Sequence, residues 1–220
     1  MDTDAGEKDP MPATSFHAII IGAGTGGMCL AHGLKRAGIS VAVYERHRTR
    51  TDGLHGYRIG IGPTGSRSLQ ECLSAELFEV FLATSARPPG WFNVVSEKLR
   101  LTGSFPLPPL TDPVNAERSV SRMTLRQILL TGMEDVVHFD KTFTHYEQHD
   151  DGTVTAFFAD GSEATGDLLV AADGTQSAVR RQYLPHAQVR EAGTINIATK
   201  TPLTAHTRSL LPEEVCTAST

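Results

Sequence analysis

Residues 18–33 read AIIIGAGTGGMCLAHG, an apolar run that breaks into glycines and resumes with helical spacing. A short segment rich in Ile and Ala and bounded by glycine predicts a buried parallel strand over Phe16–Ile21. A helix is expected over Thr25–Ala37, with Met28, Leu30, Ala31 and Leu34 at its apolar positions and Gly38 as its stop. SVAVYER then predicts a second buried strand, closing a β-α-β unit at Glu45. Gly22, Gly24 and Gly27 fit GxGxxG between that strand and that helix, which is the context the fingerprint requires.

The three glycines serve different physical ends. The first allows a tight turn, the second lets backbone approach a pyrophosphate, and the third lets the helix pack closely on the strand. Free N–H groups and the helix dipole then favour negative charge at the helix N-terminus. Glu45 stands 18 residues past Gly27, close to the spacing of about 20 at which an acid accepts hydrogen bonds from a ribose 2′-OH. A carboxylate there disfavours a 2′-phosphate. This first motif fits FAD and NAD equally, since both present an ADP half.

The chain has 220 residues, enough for one large domain or one domain and part of another. With 40% hydrophobic and 20% charged residues, it has the composition of a soluble globular protein. A net charge of −5 with no basic stripe argues against nucleic acid as the main partner. Cys29, Cys72 and Cys216 are far apart and odd in number, which suits small buried thiols in a reduced, cytoplasmic compartment. Residues 1–15 are polar with no apolar core of a signal peptide and read as a disordered leader. No apolar stretch approaches the roughly 18 residues of a membrane span.

Further along, TRTDGLHGYRIGIGPTG is too glycine-rich for a regular element, and SRSLQECLSAELFEVFLATS carries helical spacing at Leu69, Leu73, Leu77 and Phe81. Strands are expected around residues 90–115. Trp91 and Phe92 read as a core aromatic pair, with a substrate pocket as the alternative. RSVSRMTLRQILLTGM predicts a strand end turning into a helix that buries Leu125, Ile128 and Leu129. HFDKTFTHYEQHDDGTVTAFFADGS predicts a β-hairpin across DDG, because Asp and Gly tolerate positive φ. His145 and His149 fall within that hairpin, and no histidine pair joins cysteines or carboxylates at metal-ligand spacing, so no metal site is expected. DLLVAADG is another buried strand running into a glycine turn, and TQSAVRRQY a helix.

GDLLVAADGTQSAVRR places Asp173 and Gly174 at the exit of a late buried strand. Here the chain resembles the class A flavoprotein monooxygenases, which include aromatic-ring hydroxylases such as p-hydroxybenzoate hydroxylase and also zeaxanthin epoxidase. Arg122 in SVSRMTLRQIL matches an arginine that begins a helix and reaches FAD in that family, whereas Arg126, one turn on, does not occupy the motif position. GYRIGIGPTG is similar to a loop that lies along the flavin, with Gly60 where backbone approaches the cofactor. Asp173 and Gly174 correspond to residues near the FAD ribose and pyrophosphate.

The resemblance covers most of residues 16–200. It implies an α/β, Rossmann-like FAD/NAD(P)-binding fold of the glutathione reductase type with part of a β-sheet substrate domain. The implied organisation is cofactor domain over 16–89 and 119–185, substrate-domain insertion over 90–118, and the start of an incomplete substrate domain over 186–220. FAD would be reduced by NADPH or NADH and, with O₂, insert one oxygen into a small organic, aromatic or polycyclic metabolite. The implied FAD-binding residues are Gly22, Gly24, Gly27, Glu45, Gly60, Arg122, Asp173 and Gly174, with no catalytic acid or base named. A later GD-type motif has no counterpart before Thr220, so the sequence reads as C-terminally truncated. The alternatives are a non-catalytic or weakly FAD-binding remnant and an NAD-dependent dehydrogenase.

Overall fold

The computed structural model describes residues 16–52, 57–86, 90–107, 112, 114–195 and 201–212. The expected leader, His55 and Cys216 lie outside them. The first half runs β1 (His17–Ile21), α1 (Thr25–Arg36), β2 (Ser40–Tyr44), β3 (Arg58–Ile61), α2 (Pro63–Cys72), α3 (Ala75–Thr84), β4 (Trp91–Val95) and β5 (Leu101–Pro106). The second half runs β6 (Arg118–Ser121), α4 (Arg122–Leu130), β7 (Val137–His138), β8 (Phe143–Gln148), β9 (Val154–Phe158), β10 (Glu163–Gly166), β11 (Leu168–Ala171), α5 (Ala178–Tyr183) and α6 (Ala205–Ser209).

A parallel sheet of order β11-β1-β2-β7 forms the centre. Its middle strand β1 is apolar on both faces because both faces are covered. Successive side chains on a strand point to opposite sides, and the burial follows suit. Ile20, together with Val43 from β2, joins a core with Met28 and Ala31 of α1, Leu69 of α2, Phe81 of α3 and Leu125 and Leu129 of α4. Ile19 and Ile21 join a second core with Phe143, Ala156 and Phe158 of an antiparallel sheet of order β10-β9-β8, and with Val179 of α5. The result is three layers: helices, parallel sheet, antiparallel sheet. This is the expected Rossmann-like α/β arrangement.

The register aligns the strand ends. Ile21 pairs with Tyr44 on one side and Ala171 on the other, so the turns after β1, β2 and β11 leave the same edge of the sheet. Because the chain passes from β1 to β2 on one side and returns to β11 on the other, that edge is a switch point of the kind where open α/β sheets take ligands.

Several expectations need correcting. The glycine-rich segment after β2 does contain a regular strand, β3, because a distant partner supplies its ladder: Ile59 opposes Val120 of β6, and Ile61 is buried. Leu30 faces solvent on α1, and His32 is buried in its place, its Nε2 donating to the Leu129 carbonyl oxygen at 2.9 Å. Trp91 and Phe92 are no core pair. They expose 52% and 58% of their surfaces on the β4–β5 hairpin. The DDG turn joins β8 to β9 as predicted, and a second turn at Gly161 adds β10.

Candidate functional site

The cradle begins where β1 ends. Gly22 has φ +106°, and a Cβ there would lie 2.5 Å from the Ala172 carbonyl oxygen, so only glycine lets the β1 and β11 turns cross at this distance. A Cβ on Gly27 would lie 2.3 Å from the Gly22 carbonyl oxygen and 3.0 Å from the Ala172 Cβ. Helix α1 therefore starts directly against the sheet edge. Its N-cap is Gly24, with no capping side chain and no acid in the first turn. The first intrahelical donor is Met28, bonded to the Gly24 carbonyl at 3.0 Å, which leaves the preceding amides for something outside the helix.

Ala23 is held from two directions. Its N–H donates to Glu45 Oε2 at 2.8 Å, and its carbonyl accepts from Arg126 Nη1 at 2.9 Å. Glu45 is 5% exposed, and its Oε1 accepts the His47 N–H at 3.0 Å, with His47 Nδ1 at 2.9 Å. Its carboxylate thus organises the glycine loop in addition to facing the cleft. On the other side, Asp173 Oδ2 accepts from Ala178 N at 2.7 Å and Val179 N at 3.3 Å, capping α5 together with Ser177. Gly174, with φ +80°, turns the chain into that cap.

These groups line a cleft of about 330 Å³ with Arg46, His47, Lys141 and Arg181 around its mouth. Buried polar atoms of three residues in its lining make no hydrogen bond among the described residues: Arg126 Nε and Nη2, Asp173 Oδ1, and His47 Nδ1, which lies 2.9 Å from Glu45 Oε1 without hydrogen-bond alignment. Buried polar atoms are ordinarily hydrogen-bonded. Two cationic donors and one carboxylate acceptor left open in a cleft are complementary to a ligand carrying both anionic oxygens and hydroxyls.

Of the residues named from sequence, the cleft gathers Gly22, Gly24, Glu45, Asp173 and Gly174, with Gly27 packed directly behind. It does not gather Arg122 or Gly60. Arg122 is the exposed first residue of α4, its N–H donating to the Tyr57 carbonyl at 3.3 Å. The arginine that α4 brings to the cleft is Arg126, one turn nearer the cradle. Gly60 pairs with Ser119 inside the β3–β6 ladder, away from the cleft. Lys141, which pairs with Asp160 at 2.5 Å, was missed by sequence reasoning because it precedes β8, in the layer behind the sheet. Arg46 was within reach of it, as the residue following the acid that ends the second strand.

Residues 20–77 match the NAD(P)-binding Rossmann-like domain family. The chain is 34% identical over 195 residues to the dual O-methyltransferase/FAD-dependent monooxygenase elcB of Phaeosphaeria nodorum, covering 84% of this chain and 21% of that protein. It is 36% identical over 182 residues to an FAD-dependent urate hydroxylase of Klebsiella pneumoniae, covering 81% of this chain and 46% of the relative. A crystal structure of a Photorhabdus luminescens protein described as an FAD-containing monooxygenase superposes with a TM-score of 0.77 at 36% identity, over 93% of this chain and 52% of that one. The chain thus spans about half or less of the relatives it matches. By fold, glycine cradle and sequence together, the chain is similar to FAD-dependent monooxygenases, of whose length it spans a part, and its residues 20–77 carry their Rossmann-like dinucleotide-binding unit.

Proposed function

We propose that the cleft at the strand ends binds FAD and that the chain forms the cofactor-holding part of a monooxygenase acting on a small organic, aromatic or polycyclic metabolite with O₂ and NADPH or NADH. The observation that carries this reading is the pairing of an uncapped α1 N-terminus with the half-buried Arg126, whose Nη1 holds the Ala23 carbonyl and whose buried Nε and Nη2 have no partner among the described residues. The residues fit the group. The open α1 amides and Arg126 would hold the pyrophosphate, whose charge the helix end favours. Glu45 and the free Oδ1 of Asp173 would accept hydroxyl hydrogen bonds. When bound, FAD supplies the redox chemistry, and the protein contributes position and field.

The exposed hairpin of Trp91, Phe92 and Phe105 extends this reading, as the beginning of a substrate-facing sheet. The urate hydroxylase relative supports a small heteroaromatic substrate class. To test the proposal, the purified chain is denatured and any released cofactor identified by absorbance and mass, followed by titration of the apoprotein with FAD and with NAD. Release of FAD, or saturable FAD binding that NAD does not displace, is the expected result. Binding of NAD alone would instead make the chain a nicotinamide-binding protein. Substrate-dependent NADPH oxidation with O₂ uptake then tests the monooxygenase assignment separately from cofactor binding.

A further inference from the structure

Helix α1 meets α2 along a seam to which each helix contributes two positions one turn apart: Cys29 and Gly33 from α1, Ser68 and Cys72 from α2. The Cys29 thiol lies 3.7 Å from the Ser68 carbonyl oxygen, and a Cβ built on Gly33 would come within 3.0 Å of Cys72 Sγ. With no side chain at Gly33, Cys72 Sγ packs against α1, and the Cys72 thiol lies beside that of Cys29, close enough to interact with it. Cys29 and Cys72 therefore face each other across the seam; both are half-buried thiols, outside the cleft that holds the glycine cradle. Cys72 also lines a separate cavity of about 430 Å³, bounded by His32, Lys35, Arg36 and Ser74.

We propose that Cys29 and Cys72 are a modification site, a reversible disulfide formed with hydrogen peroxide that fastens α1 to α2. In the first step the Cys72 sulfur attacks peroxide, giving the sulfenic acid and releasing one water. In the second, Cys29 attacks that sulfur, the S–S bond forms, and the hydroxyl leaves with the Cys29 proton as a second water. Two thiols are oxidised and one peroxide is reduced. Burial, followed by the neighbouring Cys72, pushes the Cys29 thiol up to about 12, so Cys29 stays protonated at neutral pH and the cavity-lining Cys72 meets the oxidant first. A dithiol reductant reverses the bond. The link would pin the second turn of the helix whose first turn forms the cradle.

The experiment treats the full chain with hydrogen peroxide, blocks remaining thiols by alkylation under denaturing conditions, and maps peptides without reductant. A peptide pair joining Cys29 to Cys72, two hydrogens lighter than its separate halves and released by dithiothreitol, is expected. Cys29→Ser and Cys72→Ser should each abolish it, and Cys216→Ser should leave it intact. The oxidised chain should also melt several degrees above the reduced one, since the cross-link constrains the unfolded chain. The proposal is overturned if both thiols remain open to alkylation after peroxide, or if Cys72 passes to sulfinic acid or pairs with Cys216 and no 29–72 link forms.

Discussion

Arg126 donates through Nη1 to the carbonyl oxygen of Ala23 at 2.9 Å, joining helix α4 to the glycine cradle across 103 residues of chain. Its other two nitrogens lack partners among the described residues. One side chain thus fixes the loop and offers charge to the cleft. Arg126→Met should weaken FAD binding by about 10- to 100-fold, since hydrogen bonds to charged groups contribute roughly 1.5–3 kcal/mol. Arg122→Ala, at an exposed helix start, should change stability by less than about 0.5 kcal/mol and leave affinity unaltered. Flavin fluorescence titration of both variants compares them, and an affinity loss confined to Arg122 would reverse the assignment.

The glycines of the cradle make separable predictions. Gly27→Ala places a methyl 2.3 Å from the Gly22 carbonyl oxygen, a backbone atom, with no flexible side chain to yield. We expect a loss of about 2–4 kcal/mol in urea denaturation, at or beyond the upper end of the usual overpacking cost. Gly26→Ala meets nothing within 4 Å, and in a helix should stabilise the fold by roughly 0.5 kcal/mol through the unfolded state. Equal effects of the two substitutions would contradict the packing argument.

How far these features are legible in the sequence follows from how local each one is. The β-α-β unit, Glu45 and the Asp173–Gly174 turn are written in contiguous apolar runs and their glycine stops, and the structure places them at the positions read. But β11, expected to be buried, is an edge strand with Leu168 44% exposed, since an apolar run does not say whether its strand is central. The place of Arg122 in SVSRMTLRQIL favours it over Arg126, and periodicity offers no check on that choice, because residues one turn apart share a helix face and the pattern does not say how far along the axis the cradle lies. β3 was hidden for a different reason: its regularity comes from Arg118–Ser121, more than fifty residues away, and local glycine content argued against it. The exposure of Trp91 and Phe92 was equally unreadable, since β-propensity does not say whether a second layer covers the strand.

Asp173 has one oxygen in structural use and one free, which allows its two roles to be separated. Asp173→Ala removes the acceptor for Ala178 N and Val179 N and should cost about 1 kcal/mol, the ordinary value of a helix cap. Asp173→Asn can keep that cap through its carbonyl while losing the charge and one acceptor. It should therefore fold nearly as well as the parent chain yet bind FAD several-fold more weakly. Thermal melts and flavin titration of the pair check this, and an Asn variant with unchanged affinity would assign Asp173 to the cap alone.

His32 gives the chain an acid-sensitive joint between α1 and α4. Its Nε2 lies 2.9 Å from the Leu129 carbonyl oxygen, so Nε2 carries the proton and donates. Burial lowers its pKa below the ordinary 6.5, outweighing the opposing effect of that hydrogen bond, while nearby Lys35 lowers it further. The unfolded chain then binds a proton before the folded chain does. Stability from this residue is complete above pH 6.5 and declines as the pH falls from there to the lowered folded value, by no more than about 1.4 kcal/mol per pH unit. Asp135 and Asp160, held below the usual carboxylate value of 3.8 chiefly by side-chain hydrogen bonds from Lys35 and Lys141, contribute only in more acidic solution. Urea midpoints between pH 7.5 and about pH 5 should thus fall for the parent chain. In His32→Gln, whose amide can still donate to Leu129 but does not titrate, that decline should be much shallower. An identical slope in both proteins would place the acid sensitivity elsewhere.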